Sequence, residues 1–290
     1  MAKYTILVTG ANGQLGQSLK SISDAYPQFH FHFAARDTMP IDNEETVKAT
    51  FDAIRPHYCI NAAAYTAVDK AESDKETAMA VNGTAVGLLA AASKQAGAGF
   101  IHVSTDYVFN GLSETPYKED HPTEPVNNYG ASKLAGEKLA LDNNPAAIVI
   151  RTAWVYSEFG NNFVKTMIRL MKERKEVGVV YDQVGAPTYA PDLAHAILHI
   201  ITTTLEGKMP WVPGLYHYSN LGKISWFEFA QAIRKNIASE CNVKALTTAE
   251  FPTVAKRPAF SLLDTTKIRE NYALRIPQWQ QSLDACLSKL

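Results

Sequence analysis

Tyr129 and Lys133 are the pair of residues in this sequence whose spacing best suits proton transfer, since they stand four residues apart in the segment YGASK. On a helix, this spacing places both side chains on one face, about one turn apart. A free tyrosine has a pKa of about 10, and a neighbouring ammonium favours its phenolate form, which brings the proton within reach near neutral pH. The pair therefore predicts a general acid or base, although tyrosine and lysine also meet on ordinary helix surfaces.

Hydroxyl side chains end the predicted strand that precedes this pair. The segment IHVSTDYVFN at residues 101–110 starts as a strand, and Ser104 and Thr105 come at its carboxyl end. Ligands of open α/β folds bind at that edge of the sheet, so Thr105 can hydrogen-bond the substrate oxygen that Tyr129 protonates. A turn or a helix cap formed by Ser104, Thr105 and Asp106 is the structural alternative. Together the two segments predict a catalytic set of Tyr129, Lys133 and Thr105.

Three glycines with the spacing GxxGxxG follow the first predicted strand and open the first predicted helix; they are Gly10, Gly13 and Gly16. The first lets the chain reverse, the second lets the backbone approach a pyrophosphate, and the third allows tight packing of helix on strand. The helix N-terminus favours the anion. Such glycines can also be simple turn residues, but a position between strand and helix predicts a dinucleotide site.

The residues after the second predicted strand bear on which dinucleotide is bound. An acidic residue about 20 residues beyond the loop commonly holds the ribose 2′-hydroxyl of NAD. Here Arg36, which could pair with a 2′-phosphate, is followed by Asp37, which could take the hydroxyl, and both could also be solvated loop charges. We expect NADPH, with NADH possible. The positive ring of the oxidised coenzyme would add to the effect of Lys133 on Tyr129.

Alternating strands and helices must position these residues. Apolar runs and period-two alternation predict strands at 4–9, 29–33, 58–61, 100–103 and 147–151, and helical patterns cover 14–22, 44–55, 73–95 and 128–141. This alternation predicts an α/β fold with a Rossmann-type doubly wound parallel sheet. We expect residues 1–155 to form the dinucleotide-binding domain. Residues 156–290, which prolines break into shorter pieces, should form a smaller C-terminal substrate-binding lobe that is discontinuous, because segments of 175–215 can return to the sheet.

The composition excludes several classes of protein. The chain has 290 residues, 46% of them hydrophobic, and a formal net charge of −1, so neither nucleic acid nor an anionic membrane is an expected partner. Its cysteines, Cys59, Cys241 and Cys286, and its eight histidines show no metal-ligand spacing, and we expect neither a disulfide framework nor a bound metal. No apolar run approaches the roughly 20 residues that span a bilayer, and the first residues lack the layout of a signal peptide. We therefore expect a cytoplasmic enzyme that acts on a small molecule.

A linear series of motifs resembles that of the dTDP-4-dehydrorhamnose reductase family, in the extended short-chain dehydrogenase/reductase superfamily. The series covers nearly the whole chain: TGANGQLG at 9–16, NAAAYTAVDKAE at 61–72, VNGTA at 81–85, STDYVFNG at 104–111, YGASKLAGE at 129–137, RTAWVY at 151–156, YDQVGAPTYAPDLA at 181–194 and KRPAFSLLD at 256–264. The first and fifth motifs are common in the superfamily, whereas the second together with STDYVF and RTAWVY is typical of this family. The resemblance implies that NADPH or NADH reduces the C4 ketone of dTDP-4-dehydro-6-deoxy-L-mannose to dTDP-L-rhamnose, a precursor of cell-surface polysaccharide.

The resemblance also implies a role for individual residues. Tyr129 is the proton donor, Lys133 lowers its pKa and orients the ribose, and Thr105 assists. Further contacts with the coenzyme are implied for Gly13, Gln14, Leu15, Asp42, Ala62, Ala63, Ala64 and Val103, and contacts with the sugar nucleotide for Val68, Asp106 and Trp154. Some members of the family carry a glutamate early in the first helix that helps to hold a metal at a dimer interface. This chain has Gln17 and Ser18 there, so we expect no bridging metal.

Three residues have more than one interpretation. Trp154 could contact the ligand or fill the core between the lobes. Arg257 could clamp a pyrophosphate of the sugar nucleotide, because guanidinium groups suit phosphate oxygens, or it could form a structural salt bridge. Asn82 could disrupt hydrogen bonding within its helix, hold a water near Lys133, or face solvent.

Two other functions remain open. A nucleotide-sugar epimerase would share the loop, the tyrosine and the lysine but would reuse the hydride. A non-catalytic regulatory subunit of the same fold would bind the nucleotide without turnover, although the intact Tyr129, Lys133 and Thr105 argue against it. The chain could act as a monomer or as a homodimer.

Overall fold

The computed structural model describes residues 4–290 of the protein, and this part contains twelve strands and ten α-helices. The strands are β1 (Tyr4–Thr9), β2 (Phe29–Ala34), β3 (Tyr58–Asn61), β4 (Gly99–Thr105), β5 (Ile148–Thr152), β6 (Val155–Tyr156), β7 (Glu176–Val180), β8 (Val184–Gly185), β9 (Thr188–Tyr189), β10 (Gly214–His217), β11 (Ile224–Ser225) and β12 (Asn242–Leu246). The helices are α1 (Gln14–Ile22), α2 (Glu44–Ile54), α3 (Lys75–Met79), α4 (Ala85–Gln95), α5 (Asn128–Asn143), α6 (Phe163–Glu173), α7 (Ala190–Leu205), α8 (Trp226–Asn236), α9 (Thr266–Tyr272) and α10 (Trp279–Leu287).

The central sheet is parallel throughout and has the strand order β10-β5-β4-β3-β1-β2. From β1 the chain moves to β2 at one edge and then back across to β3, so the direction of winding reverses between β1 and β3. At such a switch point the carboxyl ends of the strands flank a crevice that binds ligands. The predicted Rossmann-type α/β fold is confirmed, and the glycine loop that follows β1 lies at this crevice.

Position in the sheet explains the two kinds of strand pattern in the sequence. β3 and β5 lie inside the sheet and are buried along their whole length, so they read as short continuous apolar runs. β2 is one of the two edge strands, and its alternation places Phe29 in the core and His30 in solvent. Alternation of apolar and polar residues would therefore not have predicted β3 and β5, because both faces of a central strand are buried.

The predicted helix over 73–95 is a helical run from Lys75 to Gln95 with one wide turn inside it. A π turn at Ala80–Thr84 joins α3 to α4. Asn82 in this turn is buried; its Oδ1 accepts from the Tyr65 N–H at 2.8 Å, and its amide donates to Ser132 Oγ at 3.0 Å. A π turn carries one extra residue, which interrupts the regular hydrogen bonds. Asn82 thus lies where helical pairing is disrupted, and the solvent-facing alternative is wrong.

Two elements of the C-terminal half return to the central sheet. β10 pairs in parallel with β5, and α7 packs on α1 and contributes to the core around β1. α9 adds Ile268 and Tyr272 to the same core. The segment from α7 through β10 to His217, slightly beyond the expected 215, and helix α9 therefore pack with the central sheet, whereas β7, β8 and β9 stay in the second lobe.

α7 is apolar on almost every side because other elements cover it almost completely. Pro191 stands in its first turn, where the missing N–H costs no hydrogen bond. Ile197, Ile200 and Ile201 are all fully buried in the first-lobe core. Within residues 4–290, no helix combines the length and the apolar character that crossing a bilayer requires.

The second lobe has its own core around Phe229 of α8. The rings of Tyr156, Phe163 and Trp279 lie 5.4, 5.7 and 5.8 Å from its ring, measured between centroids. β7 and β12 form a parallel pair in this lobe. Because β6 follows directly after β5, the second lobe joins the central sheet beside the carboxyl ends of its strands.

Candidate active site

The loop between β1 and α1 has the shape of a pyrophosphate cradle. Gly10 has a φ of +69°, in the left-handed region, and a Cβ on it would lie only 2.5 Å from the backbone nitrogen of Ala63. A Cβ on Gly16 would collide with the carbonyl oxygen of Gly10. No described side chain caps α1 after Gly13, and its first turn contains no acid. Its first N–H groups can therefore bind an anion, as the glycine spacing predicts.

The side chain of Gln14 connects this loop to the second lobe. Its amide donates to the carbonyl oxygen of Val155 at 3.2 Å, and its Oε1 accepts from Ser157 and Asn162, each at 3.0 Å. These partners lie more than 140 positions away in the chain. The contact that the sequence predicts between Gln14 and the coenzyme would therefore use its backbone.

The segments after β2 and β3 complete the coenzyme side of the crevice. Gly10 packs against the backbone of Ala62 and Ala63, which follow β3 together with the half-buried Ala64. Leu15 is buried in the first-lobe core. Three predicted residues lie exposed at the rim: Arg36, Asp37 and Asp42. The fold thus leaves the choice between NADPH and NADH to exposed side chains.

Arg36→Ala is expected to weaken NADPH binding about 10-fold and to leave NADH binding nearly unchanged. The substitution removes the charge that we expect beside the 2′-phosphate, and a charge-assisted contact at an exposed position contributes about 1–2 kcal/mol. Titration of coenzyme fluorescence measures both dissociation constants. Asp37→Ala is the matched control, since it should weaken NADH binding if it has any effect. Equal changes for both coenzymes in Arg36→Ala would remove Arg36 from the site.

The first two turns of α5 carry the predicted acid–base pair to the carboxyl edge of β4. Lys133 is 2% exposed, and its Nζ donates to the carbonyl oxygen of Val103 at 2.7 Å. Tyr129 is half-buried, and its ring packs edge-on against the ring of Tyr107, with 5.4 Å between centroids. Val103, a predicted coenzyme contact, therefore lies directly beside Lys133.

Asn127 fixes where α5 begins. Its Oδ1 accepts from the Gly130 N–H at 2.8 Å, which caps the helix. Its amide donates to the carbonyl oxygen of Lys256 at 2.7 Å. One side chain thus holds both the start of α5 and a loop of the second lobe.

Thr105 lies beside Tyr129 at the end of β4. Its Oγ1 donates to Asp106 Oδ1 at 3.0 Å and accepts from the Tyr107 N–H at 3.2 Å. Burial raises the pKa of the nearby Tyr129 phenol, and Thr105 lowers it by a smaller amount. Thr105 therefore forms the cap that was the structural alternative and also lies within reach of the proposed acid.

The ionisable groups of the site are shifted mainly by burial. Burial raises the pKa of the Tyr129 phenol to about 12, and the charge of Asp106 adds to this rise. Burial lowers the pKa of the Lys133 amine to about 8, against a smaller opposite effect of Glu137. The phenol is therefore protonated at neutral pH, the state that a proton donor needs. The lowering of its pKa by Lys133 and an oxidised coenzyme stays a prediction.

Asp106 has the chemistry of a ligand contact. Its carboxyl is 2% exposed, and burial raises its pKa to about 6. Its Oδ2 has no hydrogen-bond partner among the described residues. A buried acceptor without a partner costs about 1–3 kcal/mol, and a hydroxyl group of a bound ligand would satisfy it.

Trp154 follows β5 in a strained conformation. Its φ is +49°, which side chains of this size rarely adopt and which occurs mainly at functional sites. One face of its indole is covered by Trp226, with 3.7 Å between ring centroids and 11° between the planes. The residue therefore belongs partly to the core between the lobes. Contact of its remaining surface with a ligand stays a prediction.

Arg257 forms the salt bridge that was one of its two interpretations. Its Nη1 and Nη2 donate to the two carboxylate oxygens of Asp69 at 2.9 and 2.8 Å, and Nη1 also donates to the carbonyl oxygen of Ala255 at 2.7 Å. Asp69 follows directly after the half-buried Val68. Val68 and Arg257, both predicted to bind the substrate, thus lie at one junction of the lobes. A phosphate contact of Arg257 stays a prediction.

Sequence reasoning missed a line of buried polar side chains that leads to Lys133. Thr9, Asn61 and His102 lie on the neighbouring strands β1, β3 and β4, where Thr9 is in register with Asn61, and Asn61 with His102. All three side chains are fully buried. A polar residue near the end of each of three apolar strands was the only signal, and the strand order was needed to connect them.

A second missed feature anchors the middle of α5. Glu137 receives two hydrogen bonds from Arg151 of β5, from Nε at 2.9 Å and from Nη2 at 2.7 Å. Both side chains are 2% exposed. Arg151 also lies over the ring of Phe109, 5.0 Å from its centroid. The pair ties α5 to the sheet.

The described residues contain no group of three or more His, Cys, Asp or Glu side chains arranged to hold a metal. Ser18, at the position where some relatives have a glutamate, is fully buried and donates to the carbonyl oxygen of Gln14 at 2.8 Å. Its hydroxyl is therefore used within α1.

Comparison with known proteins agrees with the family resemblance of the sequence motifs. The model of the RmlD substrate-binding domain family matches residues 4–290. The chain is 42% identical over 287 residues to a dTDP-4-dehydrorhamnose reductase of Aggregatibacter actinomycetemcomitans, with 96% of each chain covered. It is 41% identical over 293 residues to that of Escherichia coli K12, with 98% of this chain and 97% of the relative covered.

A solved structure is similar over the whole chain. The dTDP-4-dehydrorhamnose reductase of Bacillus anthracis, determined in complex with NADP, superposes with a TM-score of 0.94 at 39% sequence identity. The alignment covers 99% of this chain and 100% of the other. The similarity therefore includes both lobes and the crevice between them.

Proposed function

This chain belongs to the dTDP-4-dehydrorhamnose reductase family, and we propose that it reduces the C4 ketone of dTDP-4-dehydro-6-deoxy-L-mannose to dTDP-L-rhamnose with NADPH. One observation carries the proposal. Thr105, Tyr129 and Lys133 meet at the carboxyl edge of β4, beside a glycine loop that can hold a pyrophosphate. NADH is the alternative coenzyme, and Arg36 and Asp37 decide between the two.

The residues of the crevice fit a nicotinamide dinucleotide. Gly10, Gly13 and Gly16 leave room for the pyrophosphate at the start of α1. Ala62, Ala63, Ala64 and Val103 would line the side next to β3 and β4, and Lys133 would hold the ribose. The bound coenzyme supplies the hydride for the ketone.

Each catalytic side chain has a distinct task. Tyr129 donates its proton to the C4 oxygen, and its protonated state at neutral pH supports this role. Thr105 hydrogen-bonds the same oxygen and orients it toward the phenol. Lys133 holds the coenzyme ribose and favours the phenolate that remains after the transfer.

The second lobe would hold the nucleotide sugar over the crevice. Asp106, whose Oδ2 has no described partner, accepts a hydrogen bond from a sugar hydroxyl. Val68 and Trp154 contact the sugar nucleotide from the two sides of the lobe junction, and Arg257 is available to its pyrophosphate through the hydrogen atoms that Asp69 does not use. Residues 156–290, apart from the segments that return to the sheet, form this lobe. The cytoplasmic location and the choice between monomer and homodimer stay predictions.

The proposal predicts one mole of NADPH oxidised for each mole of dTDP-4-dehydro-6-deoxy-L-mannose added. The loss of the reduced-nicotinamide absorbance band follows the reaction, and chromatography identifies dTDP-L-rhamnose. A panel of 4-keto sugars on other nucleoside diphosphates serves as the control. Epimerised product without net NADPH loss would indicate an epimerase, and coenzyme binding without turnover of any sugar would indicate a binding subunit.

A further inference from the structure

His102 is a fully buried titratable residue to which the proposed mechanism gives no task. It lies in β4 with its imidazole between Asn61 and Lys133. Its Nδ1 is 3.0 Å from the Asn61 amide nitrogen, and its Nε2 is 3.4 Å from Lys133 Nζ. Both ring nitrogens thus have a neighbour within hydrogen-bond distance. The position of the ring proton determines whether Lys133 faces an N–H group or a lone pair on Nε2.

The neighbours of Asn61 determine that position. Its Oδ1 lies 2.7 Å from the Thr9 hydroxyl and 3.2 Å from the Ala63 N–H. A backbone N–H can only donate, so the atom facing Ala63 must be the carbonyl oxygen of the amide. The NH₂ group then points to His102 and donates to Nδ1. A neutral imidazole that accepts at Nδ1 carries its proton on Nε2.

This tautomer presents an N–H to the amine of Lys133. A neutral amine can accept that hydrogen with its lone pair while it donates to Val103, as observed at 2.7 Å. An ammonium has no lone pair, and its hydrogens would face the hydrogen of Nε2. We propose that His102, held in the Nε2–H tautomer by Asn61, is a positioning residue that favours the neutral amine of Lys133 until the coenzyme binds. The inference rests on the proposed contact of Lys133 with the coenzyme ribose.

The other charged groups around α5 do not account for the effect of His102 on the charge state of Lys133. Glu137, one turn further along α5, favours the ammonium, but its carboxylate is paired with Arg151. Near the start of α5, Glu72 receives hydrogen bonds from Asn128, and Asp106 receives one from Thr105. The ring of Tyr107 packs on the ring of Tyr129. The charged side chains of α3 and α4 are exposed: Lys75, Glu76 and Lys94. Burial, with Lys133 as a second cause, lowers the pKa of His102 well below its usual range, so its ring is neutral beside the amine.

The pH dependence of coenzyme binding tests the proposal without any sugar substrate. If the ammonium of Lys133 binds the ribose, NADPH affinity falls as the pH rises through the pKa of the free amine, which burial brings to about 8. His102→Leu removes the Nε2–H and keeps the burial. The pH at which NADPH affinity falls should therefore rise by about one unit. Above pH 9 the variant should therefore bind NADPH up to about 10-fold more tightly than the wild-type protein, relative to their affinities at pH 6.5.

His102→Gln is the matched control. Its side-chain oxygen can accept from Asn61 and its NH₂ can point to Lys133, so the pH at which affinity falls should stay within about 0.3 units of wild type. Fluorescence titration between pH 6.5 and 10 gives the affinities, and the melting temperature of each variant shows that it is folded. Superimposable profiles for the wild type and His102→Leu, or equal shifts for Leu and Gln, would overturn the proposal.

Nitrogen NMR of the wild-type protein tests the tautomer directly and does not depend on the folding of a variant. Protein labelled with ¹⁵N in histidine should show His102 neutral at pH 7, with the proton on Nε2. An Nδ1–H tautomer or an imidazolium at this pH would contradict the proposal. Neither measurement uses turnover, so failure to reduce a nucleotide sugar would count against the proposed function and leave this inference to its own tests.

Discussion

Tyr129→Phe is expected to lower the turnover of ketone reduction by about 10²–10⁴-fold, the usual contribution of a positioned general acid. The substitution keeps the ring and its edge-on packing against Tyr107. It removes only the hydroxyl, which burial and Asp106 keep protonated. Folding and NADPH affinity should therefore survive, and steady-state kinetics should show a fall in kcat.

Two further variants make the test of the acid specific. Lys133→Ala should reduce both turnover and NADPH affinity, because one ammonium serves the phenol and the ribose. Thr105→Val should have the smallest effect of the three, since it removes an assisting hydrogen bond and leaves the proton source in place. Near-normal reduction by a Tyr129→Phe protein with a native circular dichroism spectrum would place the acid elsewhere.

Glu137→Gln is expected to lower the free energy of unfolding by about 3–5 kcal/mol, because it leaves the Arg151 charge buried without its partner. Both side chains of the pair are 2% exposed, and Arg151 donates to both carboxylate oxygens. The amide of glutamine keeps the volume and one acceptor but not the charge. Urea denaturation followed by circular dichroism measures the change.

The chain offers two matched comparisons for this prediction. The double variant Glu137→Leu with Arg151→Met removes both charges and should recover most of the lost stability. Glu173→Gln breaks an i,i+4 pair with Arg169 in which the side chains are 53% and 61% exposed, and it should cost less than about 1 kcal/mol. A Glu137→Gln protein as stable as Glu173→Gln would show that the buried pair does not anchor α5.

The segments of the candidate site that could be predicted are those whose geometry is local. A glycine loop after a strand, a YxxxK pair on a helix and hydroxyl residues at a strand end are each recognised within a short stretch of sequence. The strands and helices that carry them are identified by repeats of two and 3.6 residues. The structure places the glycine loop at the end of β1, and the YxxxK pair and the hydroxyl residues at the end of β4, on the other side of β3. The strand bounds also agree closely, as with Phe29–Ala34 for the predicted 29–33, because β-branched and aromatic residues favour strands.

The contacts that could not be predicted join residues distant in the chain. Gln14 binds the second lobe instead of offering its side chain to the crevice, and Arg257 meets Asp69 across 188 positions. The stack of Trp226 on Trp154 crosses from α8 to the end of β5. In each case the residue type allowed several partners, and periodicity carries no information on which of them is near.

The sequence by itself determined the family and the order of strands and helices as far as β5, and it predicted the catalytic residues, because local backbone preferences and linear motifs are written along the chain. The tertiary structure alone decided that β1, β3 and β4 are neighbours, and with them Thr9, Asn61 and His102. It also decided that α7 and β10 return to the first lobe. The physical reason is that strand order and side-chain partners follow from burying apolar surface on both faces of one sheet, and that burial depends on the whole chain at once.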